Sequence, residues 1–199
     1  MSRKTKAEAQ KTRTTILDAA EHVFLARGVG CSSLEQIAKA AGVTRGAVYW
    51  HFRNKYDLLD ALLEPIRAPM TELINSSSQD DIAQLAQVCR LALCKLEQDE
   101  QYRRVFMIIY HRSESDLALQ KLADNSRRSY NDLCRIFSRP ENKVRLLPGL
   151  DPASAALHLH SHMEGIIFGS LLNPSRWQLS QQADAIVSVI FRGLFQDSL

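Results

Sequence analysis

The sequence predicts an all-α protein, with a helix-turn-helix domain over residues 1–55 and a larger helical body over 56–199. Three observations predict it. Apolar residues recur at the 3.6-residue period of a helix nearly throughout, and no segment alternates convincingly at the period of a strand. The segment Leu34–Phe52, LEQIAKAAGVTRGAVYWHF, has the spacing of two short helices joined by a tight turn. Basic charge is concentrated in the same region: ten Lys/Arg against four Asp/Glu over residues 1–55, and fifteen against eighteen over the rest. That asymmetry is expected of a nucleic-acid-binding head on a near-neutral body.

The elements follow in order. The basic arm Arg3, Lys4, Lys6, Lys11 and Arg13 reads as a segment that docks onto phosphates or a minor groove; a merely solubilising tail is the plainer alternative. Lys11–Arg27 is an amphipathic helix through Ile16, Ala20, Val23 and Phe24, stopped by Gly28. In the helix-turn-helix, Ala38 is the small residue where two steeply crossed helices touch, and Gly42 is the residue that accepts positive φ in the turn. Val48 faces inward with Leu34, Ile37, Ala41 and Phe52. Ser32-x-x-Glu35 and Ser33-x-x-Gln36 are overlapping capping boxes, Thr44 caps the second helix, and Asn54 with Asp57 caps a third. That third helix starts near Lys55, carries Leu58, Leu59, Leu62 and Leu63, and meets Pro65 and Pro69, which are expected to kink or divide it.

Further on, the run Ser76–Asp81 reads as loop and cap. Helices are expected over Ile82–Gln98, Tyr102–Arg112 and Asp116–Ser138. Arg139–Leu150, with two prolines and a glycine, reads as a long connection. Asp151 caps a helix with Pro152 in its first position, Asn173-Pro174 ends it, and Gln178–Phe195 is the last.

With Val48 and Phe52 inward, helical periodicity turns Thr44, Arg45, Ala47, Tyr49, Trp50 and His51 outward or to the flanks. Arg45 is suited to a guanine edge, and Ala47 or Thr44 to a thymine methyl. Tyr49 and His51 suit phosphates, and Lys55 opens a helix whose free N–H groups already favour an anion. For Trp50, partial burial against the first helix is the competing reading.

On these residues the chain resembles the TetR family of bacterial transcriptional regulators. The match is dense from Arg3 to about Leu63. The opening RKTKAEAQKTRTTILDAAEHVFLARGV and the YWHF-NK segment at Tyr49–Lys55 are similar to the AcrR/TtgR-like subgroup, which represses multidrug-efflux operons. The resemblance implies DNA contacts by Arg45, Tyr49, His51 and Lys55, with Thr44 and Trp50 alongside. It also implies a Ser or Thr before the second helix, here Ser32 and Ser33; Cys31 departs from the polar residue expected at its position. It further implies a two-fold four-helix dimer, double-stranded operator DNA as partner, and release by a hydrophobic small molecule. The same head regulating a metabolic or stress operon, and an architectural DNA binder that senses nothing, remain as alternatives.

The body offers candidates for the other two roles. His158–Leu172 presents Ala155, Leu159, Met163, Ile166 and Phe168, with Gly165 and Gly169 spaced to let a second backbone approach. Ala185, Ile186, Val189, Ile190, Gly193 and Leu194 make the last helix apolar over a wide arc. These two helices are the expected dimer interface, with His158 and His162 among its polar groups; completing the monomer's own core is the alternative. Phe106-Met107-Ile108-Ile109-Tyr110, followed by His111, Arg112 and Glu114, is an apolar run ending in polar groups, as a lipophilic pocket requires. Phe137, Met163, Phe168 and Trp177 are further candidates, although such runs also build ordinary cores.

His158 and His162 at i, i+4, with His160 and Glu164, lack the further ligands of a metal site, and no cofactor is expected. Cys31, Cys89, Cys94 and Cys134 form no paired framework, which points to a reduced, cytoplasmic protein. The longest stretch without a formal charge is twelve residues, Pro152–Met163, too short to span a bilayer. No apolar secretion segment follows the basic N-terminus. No phosphate loop, His-Glu-x-x-His or Gly-x-Ser-x-Gly is present, so no enzyme is expected.

Overall fold

A computed structural model of the protein describes residues 6–76, 80–111 and 116–196, with the side chains of His111 and Asp116 left out. Arg3 and Lys4 of the basic arm, part of the Ser76–Asp81 loop, and Arg112 and Glu114 fall outside the described residues. The helices are α1 Lys6–Arg27, α2 Leu34–Ala40, α3 Arg45–His51, α4 Lys55–Asn75, α5 Asp81–Gln98, α6 Glu100–His111, α7 Asp116–Phe137, α8 Pro140–Lys143, α9 Pro152–Leu172 and α10 Leu179–Arg192. A 3-10 turn, Pro174–Arg176, follows α9. Among the described residues, β pairing is confined to one isolated bridge, Leu146 to Phe195. The chain forms two compact units: Met1–Glu64 with Arg104–Ala123, and Pro65–Arg103 with Asp124–Leu199.

The first unit is built on α1. Ile16, Ala20 and Phe24 are spaced along one helical face and are fully buried, and α2 and α3 pack against that helix. Gly28, at φ 78°, ends α1 in the left-handed conformation, and its N–H donates to the Phe24 carbonyl at 2.8 Å. Leu58, Leu59 and Leu63 of α4 and Ile108 of α6 are also fully buried. Pro65 and Pro69 do not divide α4: one helix runs from Lys55 to Asn75 with both inside it. Each proline removes a single intrahelical bond. Buried Leu62 and Leu63 before them and Leu73 after them supply packing that holds the helix together. The compact units nevertheless part between Glu64 and Pro65.

In the second unit α5 packs along α10 and touches α9. Leu85, Ala86 and Leu93 of α5 and Val187 of α10 are fully buried, and Arg90 reaches Asp184 across that pair at 2.9 Å. Asp151 caps α9 as its sequence predicts, accepting from the amides of Ala153 at 2.9 Å and Ser154 at 3.0 Å. The expected long connection after α7 is partly helical instead, because α8 is held from below. Buried Asn142 donates to Asp81 Oδ2 at 2.9 Å and to the Ile136 carbonyl at 2.9 Å. Arg139 donates to the same Asp81 oxygen at 2.6 Å and to the Ile74 carbonyl at 2.8 Å. Leu147 then donates to the Leu194 carbonyl at 2.9 Å, fastening this segment to the end of the chain.

Candidate nucleic-acid interface

The head is assembled by short-range bonds. Ser33 and Gln36 form a full capping box at the start of α2: the Ser33 hydroxyl accepts from the Gln36 amide at 3.2 Å, and Gln36 accepts from the Ser33 amide at 3.0 Å. Ser32 does not form the second box. It is buried, and its hydroxyl donates to the Gly28 carbonyl at 2.6 Å, closing the preceding loop. Gly42 takes φ 64° in the turn, while Ala38 is 4 % exposed at the crossing of α2 and α3. Thr44 caps α3 by accepting from the Ala47 amide at 3.2 Å. Asn54 accepts from Tyr56 at 2.8 Å and Asp57 at 3.0 Å at the start of α4. These bonds, with Val48 and Phe52 buried, fix which side of α3 faces out.

That side carries Thr44, Arg45, Tyr49 and Trp50 exposed, with Ala47 and His51 half-buried at the flanks. Trp50 is 73 % exposed, its ring edge-on to His51 at 4.4 Å, so burial against α1 is not its role. Arg45 and Tyr49, one turn apart, act as a pair. The guanidinium lies 5.3 Å from the ring centroid and donates to the phenol oxygen at 3.4 Å. That hydrogen bond raises the Arg45 pKa further, so its charge is permanent. No acidic residue stands in the first turn of α3.

Lys55 is placed differently from its neighbours. Its ammonium donates to the carbonyls of Gly30 and Ser32, the latter at 3.0 Å, and so anchors the loop between α1 and α2. No local spacing signals that bond, because its partners are 25 and 23 residues away. Arg13 lies over the Phe52 ring at 5.3 Å.

The expected pocket residues divide between the units. Phe106, Met107 and Tyr110 belong to the first, where Phe106 is buried and stacks on Tyr110 at 6.4 Å. The His111 side chain is outside the described residues. Phe137, Met163 and Phe168 belong to the second. Phe137 is fully buried and edge-on to Phe195 at 5.5 Å, within the core formed with Phe191. Met163 is half-buried, and Phe168 is 39 % exposed.

Of the expected interface residues of α9 and α10, His162, Ile166, Ala185, Ile186, Val189 and Ile190 line one groove, while Ala155 and Leu159 are buried within the chain's own core. An open groove of about 540 Å³ is lined by His162, Ile166, Trp177, Ala185, Ile186, Val189 and Ile190, together with Arg176 and Gln182. Val189 is 72 % exposed, and Leu157 and Leu172 are also exposed. Gly165 faces open space, whereas a Cβ at Gly169 would stand 3.3 Å from the Trp177 ring of the same chain. His158 and His162 lie with ring centroids 6.2 Å apart, and His160 approaches Glu164 at 3.6 Å. Burial pushes the Cys89 thiol up to about 12, against the opposing pull of Arg90, which removes its reactive thiolate form at neutral pH. Among the described residues no helix is long and apolar enough to cross a membrane.

Comparison with known proteins bears on both halves. Residues 16–62 match bacterial regulatory proteins of the tetR family, and residues 80–195 match the C-terminal region of the MAATS-type transcriptional repressors. The chain is 37 % identical over 182 residues to the HTH-type transcriptional regulator TtgR of Pseudomonas putida, covering 87 % of each. It is similar to the crystal structure of NalD, the secondary repressor of the MexAB-OprM multidrug efflux pump in Pseudomonas aeruginosa. There the TM-score is 0.83 and the identity 38 %, over 96 % of this chain and 100 % of that one. A complex of SmeT with triclosan matches at TM-score 0.82 and 28 % identity, over 94 % of this chain and 93 % of that one.

Proposed function

The chain belongs to the TetR family of bacterial regulatory proteins, and from that premise we propose that it is a homodimeric cytoplasmic repressor of a multidrug-efflux operon. A hydrophobic small molecule releases it from its operator. The observation that carries the reading is the outer face of α3: a capped, rigidly seated helix presenting Arg45, Tyr49 and Trp50 with no acid in its first turn. Arg45 reads a base edge, Thr44 and Ala47 meet apolar base surface, and Tyr49 and His51 hold phosphates. Ser33 fixes the start of α2 beside them. An ammonium has three donors; two of those on Lys55 go to Gly30 and Ser32, which leaves one for phosphate.

A single head of this size reads few bases, so a second copy is part of the function. The apolar groove of α9 and α10, lined by His162, Ile186, Val189 and Ile190, is the face that pairs, with His158, Gly165 and Gly169 elsewhere along α9. A two-fold dimer sets its recognition helices about 34–36 Å apart, matching an operator palindrome. Phe106, Met107 and Tyr110 of the first unit are candidate effector contacts, and so, separately, are Met163 and Phe168 of the second, whereas Phe137 is committed to the core with Phe191 and Phe195. Release requires the effector to bind the two conformations of the dimer unequally.

The test is fluorescence anisotropy on the DNA upstream of the chain's own gene against random duplex, at two salt concentrations, with and without triclosan as a lipophilic probe. Specific binding that triclosan weakens supports the proposal; equal, salt-steep binding to both duplexes overturns it. Arg45→Ala is expected to weaken specific binding about 5- to 150-fold and relax preference at one base pair. Tyr49→Phe and Lys55→Ala are expected to weaken cognate and random DNA alike, and Lys55→Ala also to lower the salt slope by about 1. Equal losses on both duplexes for Arg45→Ala would remove it from base reading.

A further inference from the structure

Two histidines stand one turn apart on α9. His158 and His162 are both exposed, with ring centroids 6.2 Å apart, at the i, i+4 spacing that sets side chains on one helical face. The Nδ1 of His162 lies 2.7 Å from the His158 carbonyl. A carbonyl only accepts, so Nδ1 carries the proton and Nε2 keeps its lone pair. A metal-binding imidazole is held in this way, one ring nitrogen donating to a carbonyl and the other left as ligand. The neighbouring His160 is engaged elsewhere, approaching Glu164 at 3.6 Å, and Glu164 also accepts from Ser126 at 3.2 Å. Among the described residues, no three potential metal ligands converge within one chain. The stripe of His158 and His162 continues into Gly165, where a Cβ would meet nothing within 4 Å.

We propose that His158 and His162 are one half of a zinc site, completed by the same two residues of a second copy. The assignment rests on the pairing of copies through α9 and α10 given above. His162 lines the groove of that face, and Gly165, three residues on, lets a second backbone come close. Pro152–Met163 carries no formal charge, so two copies of this stretch meet without repulsion. Closing the groove takes the imidazoles out of water among mainly apolar side chains, where a ring nitrogen without a partner is costly. A two-fold axis turns two imidazoles into four, and one ion occupies all four lone pairs. Zn²⁺ suits such a set, being borderline-soft, tetrahedral and content with imidazole nitrogen at about 2.0–2.1 Å. Mg²⁺ and Ca²⁺ need oxygen ligands, which this stripe does not offer. Because only the pair presents four ligands, zinc binds the dimer in preference to the single chain and strengthens pairing.

The test uses the full chain stripped of metal with EDTA, and Zn²⁺ alone as probe. Calorimetric titration reads the stoichiometry, and sedimentation velocity over a dilution series reads the dimer constant with and without zinc. The expected result is a single zinc ion shared by a pair of chains. With free zinc at about 100 times its dissociation constant, the dimer constant is expected to tighten about 100-fold. His158→Gln/His162→Gln is expected to abolish both effects with its circular dichroism unchanged, since both side chains are exposed in the single chain. His158→Gln alone removes two of the four ligands from outside the groove lining, and is expected to abolish the zinc effect while leaving zinc-free pairing as in the wild type. Uptake of one ion by each chain without tighter pairing overturns the site, as does a dimer that takes up no zinc, or a double variant that binds it as the wild type does. Each of these leaves pairing through α9 and α10 standing. A chain that stays monomeric with and without zinc overturns the pairing, and the site with it.

Discussion

Val189→Asp is expected to yield a folded monomer that no longer holds an operator palindrome. Val189 is 72 % exposed in the single chain, so a carboxylate there is solvated and the fold is left alone. In a dimer paired through the α9–α10 groove, two-fold symmetry brings two such charges into one apolar interface. Stranding a charge out of water costs about 3–5 kcal/mol, or roughly two decades or more of dissociation constant per copy. Sedimentation velocity should show the monomer, circular dichroism an unchanged helix content and melting profile, and anisotropy the loss of specific DNA binding. A dimer of wild-type stability in this variant would mean that the chain pairs through some other face.

Arg139→Met is expected to be among the most destabilising single substitutions in the second unit. Asp81 is 4 % exposed; its Oδ2 accepts from Arg139 and Asn142, and its Oδ1 has no hydrogen bond among the described residues. Removing the guanidinium leaves a buried carboxylate with an amide as its remaining partner, at a cost of about 3–5 kcal/mol. For a chain of this length that corresponds to a fall in melting temperature of roughly 6–20 °C. Adding Asp81→Leu should return most of the loss, because it removes the stranded charge. A single variant as stable as the wild type in urea unfolding would show that the cluster contributes little.

Both predictions turn on contacts between distant residues, and that is where legibility ended. In the head, nearly every feature was readable. Gly42 and Gly28 take positive φ where a turn and a helix end require it, and Ser33, Thr44 and Asn54 cap the helices they precede. The outward set on α3 follows from Val48 and Phe52 facing in. Even there Ser32 escaped, since two overlapping boxes satisfy the same pattern and packing chooses between them. Lys55 was read only as an anion site at a helix start, although its ammonium holds a loop more than twenty residues back.

In the body the α9 start was legible from Asp151-Pro152, while α8 was not. Two prolines and a glycine read as a loop, and only Asp81, 61 residues before Asn142, makes a helical turn there worthwhile. Of the two outcomes expected at Pro65 and Pro69, division does not occur: α4 runs on through both, with leucines on either side offsetting the lost bonds.

By itself the sequence determined the helical class, the helix-turn-helix and the face it presents, because caps, turn glycines and a 3.6-residue period act within a few residues of chain. Only the tertiary structure decided that Glu21 is a buried ion-pair partner rather than one more acid on a helix, and that Arg104–Ala123 belongs with the first unit. It also decided that Asp81 anchors α8. Those outcomes depend on which charges are desolvated together, and desolvation is a property of packed neighbours that local spacing does not record.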